Sequence, residues 1–487
     1  MKIKGENFPG KDLFTGLFGK EVYLVGGVVR DLIISGSIDS RKDIDLMVVG
    51  YEYSELEKVL KEHGKINTVG KSFAVIKFTK DKVTFDISVP RLDRKKDSGS
   101  SSHKNFIIES GKKVSLEEDL GRRDFSCNSI AIRLSDGSVF DPFNGTDAIK
   151  KKMIVMTGPE TFSDDPLRLL RAARFSSVLG FEIEEDIYKV AKDVILEELS
   201  SERITEEFFR TLLESDTPSK GLMEYFRLTI LEKLYPGIYR MALTIQDSIF
   251  HPEKDEFGHH TVFIHMLTAL DIGKKLAGIK GLSEEEELAL LLGIILHDIG
   301  KPVTTKWEFK RGRMTVTSIR HDSVGVGLAE SLLDKLKIET RMKFPLRDMI
   351  LKLIKNHHRI FDLYSNRAEI GFKAFSRLLR DMDGRDDLLI LLDFADRQSR
   401  EPEPLNFSDV DEISNWYYNR KEELKINEDT IRPILQGRDL IKLGISPGEE
   451  MGEYLKKLFE LQLDGSFTTL EEGIVQFKKI KGVNGSK

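Results

Sequence analysis

Residues 22–49, VYLVGGVVRDLIISGSIDSRKDIDLMVV, decide how the rest of the chain is read. An apolar run, Val22 to Val25, stops at Gly26-Gly27; Arg30 and Asp31 follow, and a second apolar run carries Asp43 and Asp45. Strand residues at i and i+2 share a face, so the two carboxylates point one way while Ile44 and Leu46 pack the other. Two acids side by side repel unless a cation lies between them, and Mg²⁺ suits an all-oxygen pair. The glycines let backbone N–H groups approach an anion, and Arg30 can fork onto phosphate oxygens. Alone, Gly-Gly is normally a turn and Asp-x-Asp a solvated strand edge. Together, with Arg30 between them, they read as a metal-and-triphosphate site.

The surroundings are strand-rich from 20 to 145. Apolar or alternating runs at 43–49, 73–78 (FAVIKF), 83–89 (VTFDISV), 129–134 and 138–140, with helical stretches near 27–35 and 53–63, predict an α/β or α+β domain on one sheet. Asp86 shares its strand face with Thr84 and Ser88. By itself that is the polar side of a half-exposed strand. Beside Asp43 and Asp45 it is a candidate third carboxylate, able to take a proton from an attacking hydroxyl or to hold a second metal. Residues 91–104, RLDRKKDSGSSSHK, lack apolar periodicity and carry five basic against two acidic side chains. This predicts a solvated loop able to follow an RNA backbone.

In SLEEDLGRRDFSCNSIAI (115–132), Glu117, Glu118 and Asp119 precede Arg122, Arg123 and Asp124, and Asn128 follows; DPFNGTDAIKKKMI (141–154) closes the strand-rich part. In this order the motifs resemble the head of the bacterial-type tRNA nucleotidyltransferases (class II, CCA-adding) and poly(A) polymerases. The resemblance implies that Gly26, Gly27 and Arg30 bind the triphosphate. It also implies that Arg122 and Arg123 contact nucleotide, braced by Asp124, and that the 91–104 loop helps to switch between bases.

From 160 the chain turns helical. FSDDPLRLLRAARFSSVLGF (162–181) offers Ser163, Asp164 or Asp165 as cap, Pro166 as first helical residue and Gly180 as terminator. Arg168, Arg171 and Arg174 recur every three residues as a stripe, by default a solvated one. Asp165 and Arg168, one turn apart, complement the edge that cytosine and adenine share, an exocyclic amine beside a ring-nitrogen acceptor. Guanine and uracil would turn a carbonyl toward the carboxylate. The resemblance implies that this Asp-x-x-Arg reads the base, with Arg171 and Arg174 as further nucleotide or phosphate contacts. In SERITEEFFRTLLES (201–215), Glu206 and Arg210 are spaced to pair along a helix, which the resemblance places behind the base-reading one.

A second chemistry begins near 250, since eight of the ten histidines lie between His251 and His358. An adjacent His297-Asp298 ends an apolar helix that Gly300 and Pro302 terminate. Histidines on separate helices together with such a dyad make a metal constellation. It resembles the HD phosphohydrolase superfamily. That resemblance implies His260, His297, Asp298 and Asp396 as ligands, with His259 and Asp393 as alternatives for the first and last. His321, His357 and His358 would contact substrate phosphate or hold a second metal. The ion, Mg²⁺ or a transition metal, would polarise a phosphoryl oxygen and supply hydroxide.

A net charge of −6 confines any nucleic-acid surface to local patches. One cysteine, Cys127, excludes an intrachain disulfide and fits a reducing compartment. Neither a signal-peptide pattern nor a membrane-length apolar stretch is present, which predicts a cytoplasmic protein. EPEPLNF (401–407) reads as a linker and 409–427 as a polar helix. Residues 440–472 resemble the family's small C-terminal element, ahead of a Lys-rich flexible end (Lys478, Lys479, Lys481) able to touch RNA. The expected architecture is α+β: a nucleotidyltransferase head (1–155), a helical neck (156–245), an HD-type helical body (246–400) and a C-terminal helical element (401–487).

The expected activity is template-independent addition of C, C and A to a tRNA 3′ end from CTP and ATP, with Mg²⁺ on Asp43 and Asp45. An HD phosphohydrolase, fitting terminal or 2′,3′-cyclic phosphates, accompanies it. A poly(A) polymerase, or an enzyme restricted to CC or A addition, would use the same head. A phosphohydrolase with a non-catalytic RNA-binding head is the alternative of another class, and the intact acids and Gly-Gly-x-x-Arg stand against it.

Overall fold

The computed structural model describes residues 8–38, 43–67, 75–95, 106–255, 257–310, 312–341, 343–401 and 412–484. The chain forms two compact units that part between Leu234 and Tyr235, ahead of the boundary expected at 245.

The first unit opens with α1 (Lys11–Phe18), β1 (Val22–Val25), α2 (Gly27–Ser35), β2 (Ile44–Val48), α3 (Tyr53–Lys61), β3 (Lys65–Asn67), β4 (Val75–Lys80) and β5 (Val83–Ser88). A separate ribbon, β6 (Arg91–Lys95) with β7 (Phe106–Ser110), leads to α4 (Leu116–Gly121), β8 (Ala131–Arg133) and β9 (Val139–Phe140). The main sheet runs β3-β4-β5-β2-β1-β8-β9, with β2 and β5 parallel and the other neighbours antiparallel. β1 is interior and buried throughout, as its unbroken apolar run requires. Phe14 of α1 packs edge-on against Phe78 and Phe85 at 5.7 and 4.9 Å. Asp81 and Lys82, both at positive φ, make the two-residue turn between β4 and β5, and that turn sets Lys77 opposite Asp86. Residues 91–95, expected in a loop, are strand; 96–105, the rest of that expected loop, lie outside the described residues.

The unit continues through α5 (Gly145–Lys151), β10 (Met153–Ile154), α6 (Glu160–Asp164), α7 (Leu167–Leu179), β11 (Glu182–Ile183), α8 (Glu185–Ala191), α9 (Ser201–Glu214), α10 (Pro218–Arg227) and α11 (Ile230–Leu234). The helix expected between Pro166 and Gly180 is α7, and the short α6 precedes it. Asp165, the residue before a proline, is held in an extended conformation (φ −136°, ψ 93°), which separates the two. Pro166 becomes the residue ahead of α7 rather than its first, and α7 then packs on α9 and α10.

The second unit comprises α12 (Pro236–Ala242), α13 (Val262–Lys280), α14 (Glu284–Leu296), α15 (Lys301–Thr304), β12 (Lys306–Lys310), β13 (Arg313–Thr317), α16 (His321–Lys335), α17 (Leu346–Asn356), α18 (Arg359–Ser365), α19 (Phe372–Asp381) and α20 (Asp386–Gln398). α21 (Glu412–Glu423), α22 (Gly437–Lys442), α23 (Glu449–Leu463) and α24 (Leu470–Asn484) complete it. α14 is apolar and buried on every side from Leu288 to Leu296 because α13, α17 and α20 surround it. The expected linker beyond Glu401 lies outside the described residues. The Lys-rich end expected to be flexible is instead helical in α24, where buried Phe477 meets Tyr454 edge-on at 5.3 Å. Among the described residues no helix is long and apolar enough to cross a membrane.

Candidate active sites

Parallel pairing of β2 with β5 sets Asp45 directly beside Asp86, and Asp43 precedes β2 on the same face. Lys77, from β4, sends Nζ to within 2.5 Å of Asp43 Oδ2 and 3.6 Å of Asp86 Oδ1. Burial, reinforced by Asp86 and Asp43, pushes the Asp45 carboxyl up to about 6 against the pull of Arg123 and Lys77. Burial raises Asp86 too, and its buried Oδ1 has no hydrogen-bond partner. Three converging carboxylates, two of them with a raised pKa, outnumber the one lysine that reaches them. The donor set fits a divalent cation.

Gly26 abuts this group. Its φ of 75° with ψ −146° is open to glycine, and a Cβ there would lie 3.1 Å from Asp45 Oδ2 and 3.2 Å from Arg123 Nη1. Gly27 begins α2, and a helix start offers N–H groups to an anion.

The arginines divide by what holds them. Arg30, 9% exposed, donates through Nε and Nη2 to Asp31 and through Nη1 to Asn128 Oδ1 at 2.8 Å. Arg122 and Arg123 both donate to the buried Asp119. The brace of this pair is therefore Asp119, correcting the assignment to Asp124. Asp124 instead accepts from Arg171 Nε and Nη2 and from Asn128 Nδ2. Although burial opposes it, these partners hold the Asp124 carboxyl down at about 2. Arg174 is corrected as a nucleotide contact: at 2% exposure it pairs with Glu207 at 2.5 Å and Glu214 at 2.8 Å, tying α7 to α9. Arg210 pairs with Glu214, one turn on, at 2.7 Å.

Asp165 and Arg168 face the same cleft, an open space of about 1340 Å³ whose walls include Asp43, Asp45, Asp86 and Arg123. Arg168 Nη1 donates to the Arg123 carbonyl at 2.8 Å and Nη2 to that of Arg122, while Arg203 Nη2 meets both Asp165 oxygens at 3.0 Å. The pair is thus built as two fixed groups, each locked by a partner distant in sequence.

In the second unit His297 Nδ1, His321 Nδ1 and His357 Nδ1 each lie 2.7 Å from a backbone carbonyl three residues earlier. A carbonyl only accepts, so Nδ1 carries the hydrogen and Nε2 of the neutral ring presents a lone pair. Those lone pairs converge: His321 Nε2 lies 3.2 Å from His357 Nε2 and 3.1 Å from His358 Nε2. Burial and the neighbouring imidazoles press His357 well below the usual range, keeping it neutral. Asp298 reaches both sides, with Oδ2 3.2 Å from His297 Nε2 and Oδ1 3.2 Å from His321 Nε2. Lys301 Nζ stands 2.6 Å from Asp298 Oδ2 outside hydrogen-bond alignment, and buried His297 Nε2 also lacks a hydrogen-bond partner. Lone pairs facing one another fit a metal.

The first histidine expected in this centre is corrected. His260 Nδ1 rests on the Glu253 carbonyl, and neither His260 nor His259 belongs to any described group of converging ligand atoms. His265 does: Nε2 lies 2.9 Å from Asp396 Oδ1, and Nδ1 lies 2.8 Å from Glu253 Oε1 and 2.9 Å from Ser399 Oγ. Its place in an apolar helix resembles that of a core residue, which hid it. A buried imidazole's need for partners was the available signal. Asp393 pairs with Arg397 at 2.8 Å, leaving Asp396 in the centre. Lys77, Asp119, Arg203 and Glu253 were also missed.

Three family patterns match the chain. The Poly A polymerase head domain covers residues 22–155, the "Probable RNA and SrmB- binding site of polymerase A" covers 180–241, and the HD domain covers 262–401, a span that holds His265 but not His260. The multifunctional CCA protein of Stenotrophomonas maltophilia is 30% identical over 350 residues, 70% of this chain and 78% of that protein. That of Haemophilus ducreyi is 30% identical over 389 residues, 78% and 86% of the two chains. Among solved structures, the Bacillus stearothermophilus CCA-adding enzyme in complex with CTP superposes with a TM-score of 0.60 at 18% identity, covering 99% of this chain and 100% of that one. The Thermotoga maritima CCA-adding enzyme complexed with tRNA gives 0.57 at 21% identity, covering 98% of each. At such identities these two speak for the fold.

Proposed function

The chain belongs to the family of multifunctional CCA proteins, and from that premise we propose that it adds C, C and A to the 3′ end of tRNA from CTP and ATP, and hydrolyses phosphoesters at its HD-type centre. The observation that carries the first half is the in-register Asp45–Asp86 pair opening into the cleft that also holds Asp165 and Arg168.

Asp43 and Asp45 would hold Mg²⁺, which when bound would offset the negative charge between an attacking hydroxyl and a triphosphate. Asp86, its basicity raised by burial, takes the proton of the tRNA 3′-hydroxyl. Gly26 keeps the carboxylate group and Arg123 in close approach; Gly27, Arg30, Arg122 and Arg123 receive the triphosphate. Asp165 accepts from the exocyclic amine of cytosine or adenine while Arg168 donates to the ring nitrogen, so selection needs no template strand. Arg171, held by Asp124, lines the same wall.

At the second centre His265, His297, Asp298 and Asp396 would hold one divalent ion, and His321, His357 and His358, with the other Asp298 oxygen, a second. Such ions would supply hydroxide and polarise a phosphoryl group. The division into head (1–155), neck (156–245), HD body (246–400) and C-terminal element (401–487) belongs to this reading, as does a cytoplasmic site of action.

Purified protein given tRNA ending at the discriminator base, at C or at CC, with each labelled nucleotide in turn, tests the proposal. Stepwise CMP followed by a single AMP is expected. Processive AMP addition to any RNA would replace it with a poly(A) polymerase. Asp43→Ala should abolish incorporation and spare phosphoester hydrolysis, while His297→Ala should do the reverse.

A further inference from the structure

The segment between α12 and α13 folds back on the histidine centre. Ile245 and Thr261 form an antiparallel bridge, and the Gln246 N–H donates to the His260 carbonyl at 2.8 Å. Gln246 Oε1 accepts from Lys301 Nζ at 2.6 Å, and Lys301 pairs with Asp298. His260 Nδ1 donates to the Glu253 carbonyl at 2.9 Å. His260, expected as a ligand, thus helps to hold the backbone that carries Glu253, whose side chain is only 8% exposed.

That side chain meets two imidazoles. Glu253 Oε1 lies 2.8 Å from Nδ1 of His265 and 3.1 Å from Nδ1 of His251, whose rings stand at 80° with centroids 4.6 Å apart. On the other side of His265, Nε2 lies 2.9 Å from Asp396 Oδ1. His265 is therefore buried between two carboxylates, and its neutral ring has one hydrogen to give. The surroundings direct that hydrogen to Nδ1. Asp396 Oδ1 already has a cation, Arg400 Nη2 at 2.5 Å, whereas among the described residues the ion-pairing partners of Glu253 are the two imidazoles. Buried Glu253 Oε2 has no hydrogen-bond partner. Ser399 Oγ, 2.9 Å from the same Nδ1, gives its own hydrogen to the Asp396 carbonyl at 2.8 Å and presents a lone pair to the ring. With the hydrogen on Nδ1, Nε2 keeps a lone pair among the converging ligand atoms of His297 and Asp396.

We propose that Glu253 is a positioning residue of this centre: it holds the hydrogen of His265 on Nδ1, so that Nε2 faces a divalent cation with its lone pair free. Without Glu253 the one carboxylate left beside the ring is Asp396, the hydrogen moves to Nε2, and the ligand is lost. The inference rests on reading the centre as a metal-dependent phosphohydrolase.

Co²⁺ alone, titrated into the metal-stripped full-length protein, reads the centre through the visible absorption of imidazole-bound cobalt, with His297→Ala as the background. Glu253→Leu keeps the size of the side chain and removes the acceptor, and it should weaken Co²⁺ binding about 10- to 100-fold. Glu253→Gln, whose amide oxygen still accepts from Nδ1, should recover all but about threefold of this, and Ser399→Ala should stay within about twofold. In hydrolysis of p-nitrophenyl phosphate, Glu253→Leu should need correspondingly more Co²⁺ yet reach the parent's kcat once saturated, which a damaged fold would not. Parental affinity in Glu253→Leu overturns the proposal. So does a loss in Ser399→Ala as large as in Glu253→Leu, because the serine then orients the ring. Loss of one whole equivalent of Co²⁺ in Glu253→Gln, with the remaining affinity unchanged, also overturns it, because Glu253 is then itself a ligand, with His251 and His265. If His297→Ala binds Co²⁺ as the parent does, no metal uses the centre, and the phosphohydrolase reading fails together with the inference. Should Glu253→Leu unfold in chelator, Glu253→Ala, into whose space water can enter, carries the same prediction.

Discussion

Lys77 Nζ lies 2.5 Å from Asp43 Oδ2, so a tethered cation stands among the carboxylates that fit a divalent ion. The lysine competes for the same charge. Lys77→Met should therefore lower the Mg²⁺ concentration giving half-maximal nucleotide incorporation at pH 8, by a few fold for an exposed pair of this kind. A metal titration of initial rates measures it. A higher Mg²⁺ requirement would mean that Lys77 instead prepares the carboxylates.

Burial pushes the Asp45 carboxyl up to about 6, above the ordinary aspartate range near 4, so the folded protein binds this proton more tightly. The stabilisation from the proton is complete below about 4 and is lost as pH rises through 6. At pH 8 the ionised, buried group costs stability. That difference corresponds to about 3 kcal/mol at most. Asp45→Asn should stabilise the metal-free protein by about 1–3 kcal/mol at pH 8 and by almost nothing at pH 4, while abolishing incorporation. Urea unfolding in chelator at both pH values measures this, and an equal gain at each would refute the burial argument.

Arg203 meets both oxygens of Asp165 at 3.0 Å and fixes the carboxylate in the cleft. Asp165→Ala should reduce discrimination against UTP and GTP by about 10- to 100-fold, the scale of one good bidentate base contact. Arg203→Ala should do so less severely, because the carboxylate remains but swings. Misincorporation assays with single nucleotides separate the two. Undiminished selectivity in both variants would remove this pair from base reading.

Arg174 is buried between Glu207 and Glu214. Removing it leaves an uncompensated buried carboxylate, and Arg174→Ala should cost about 3–5 kcal/mol of stability in the first unit. At temperatures where the variant stays folded, its KM for CTP should hold within about twofold of the parent, the size of a small surface-type effect. A large KM change with an unaltered unfolding midpoint would return Arg174 to the nucleotide.

His265 replaces His260 in the expected ligand set. His265→Ala should release divalent metal from the second centre and abolish phosphoester hydrolysis, whereas His260→Ala should retain both. Metal analysis after gel filtration, beside hydrolysis rates, distinguishes them; equal metal loss in the two variants would contradict the assignment.

The order of apolar runs and turns made the head legible. Gly-Gly breaking a strand and Asp-x-Asp on one strand face are local patterns, and strand periodicity converts them into positions. The Lys77–Asp86 pairing was not among them: it follows from the two-residue turn at Asp81-Lys82, where the structure holds both residues at positive φ. The start of α7 was legible as well, in Asp165 and the proline that follows it, whereas the short α6 ahead of them was not.

Returning to residues 22–49, the sequence by itself determined the carboxylates, the glycines and the reason a cation is needed between them. Tertiary structure alone decided who holds Asp165, Arg174 and Asp396: Arg203, Glu207 and, rather than His260, His265. Asp119 under Arg122 and Arg123 is local, three and four residues away, but those other contacts join residues tens of positions apart, and a charged side chain takes whichever opposite charge the packing brings within reach. Local periodicity records which face a residue occupies. It carries no information about the partner that arrives from another element, which only the packing of that element supplies.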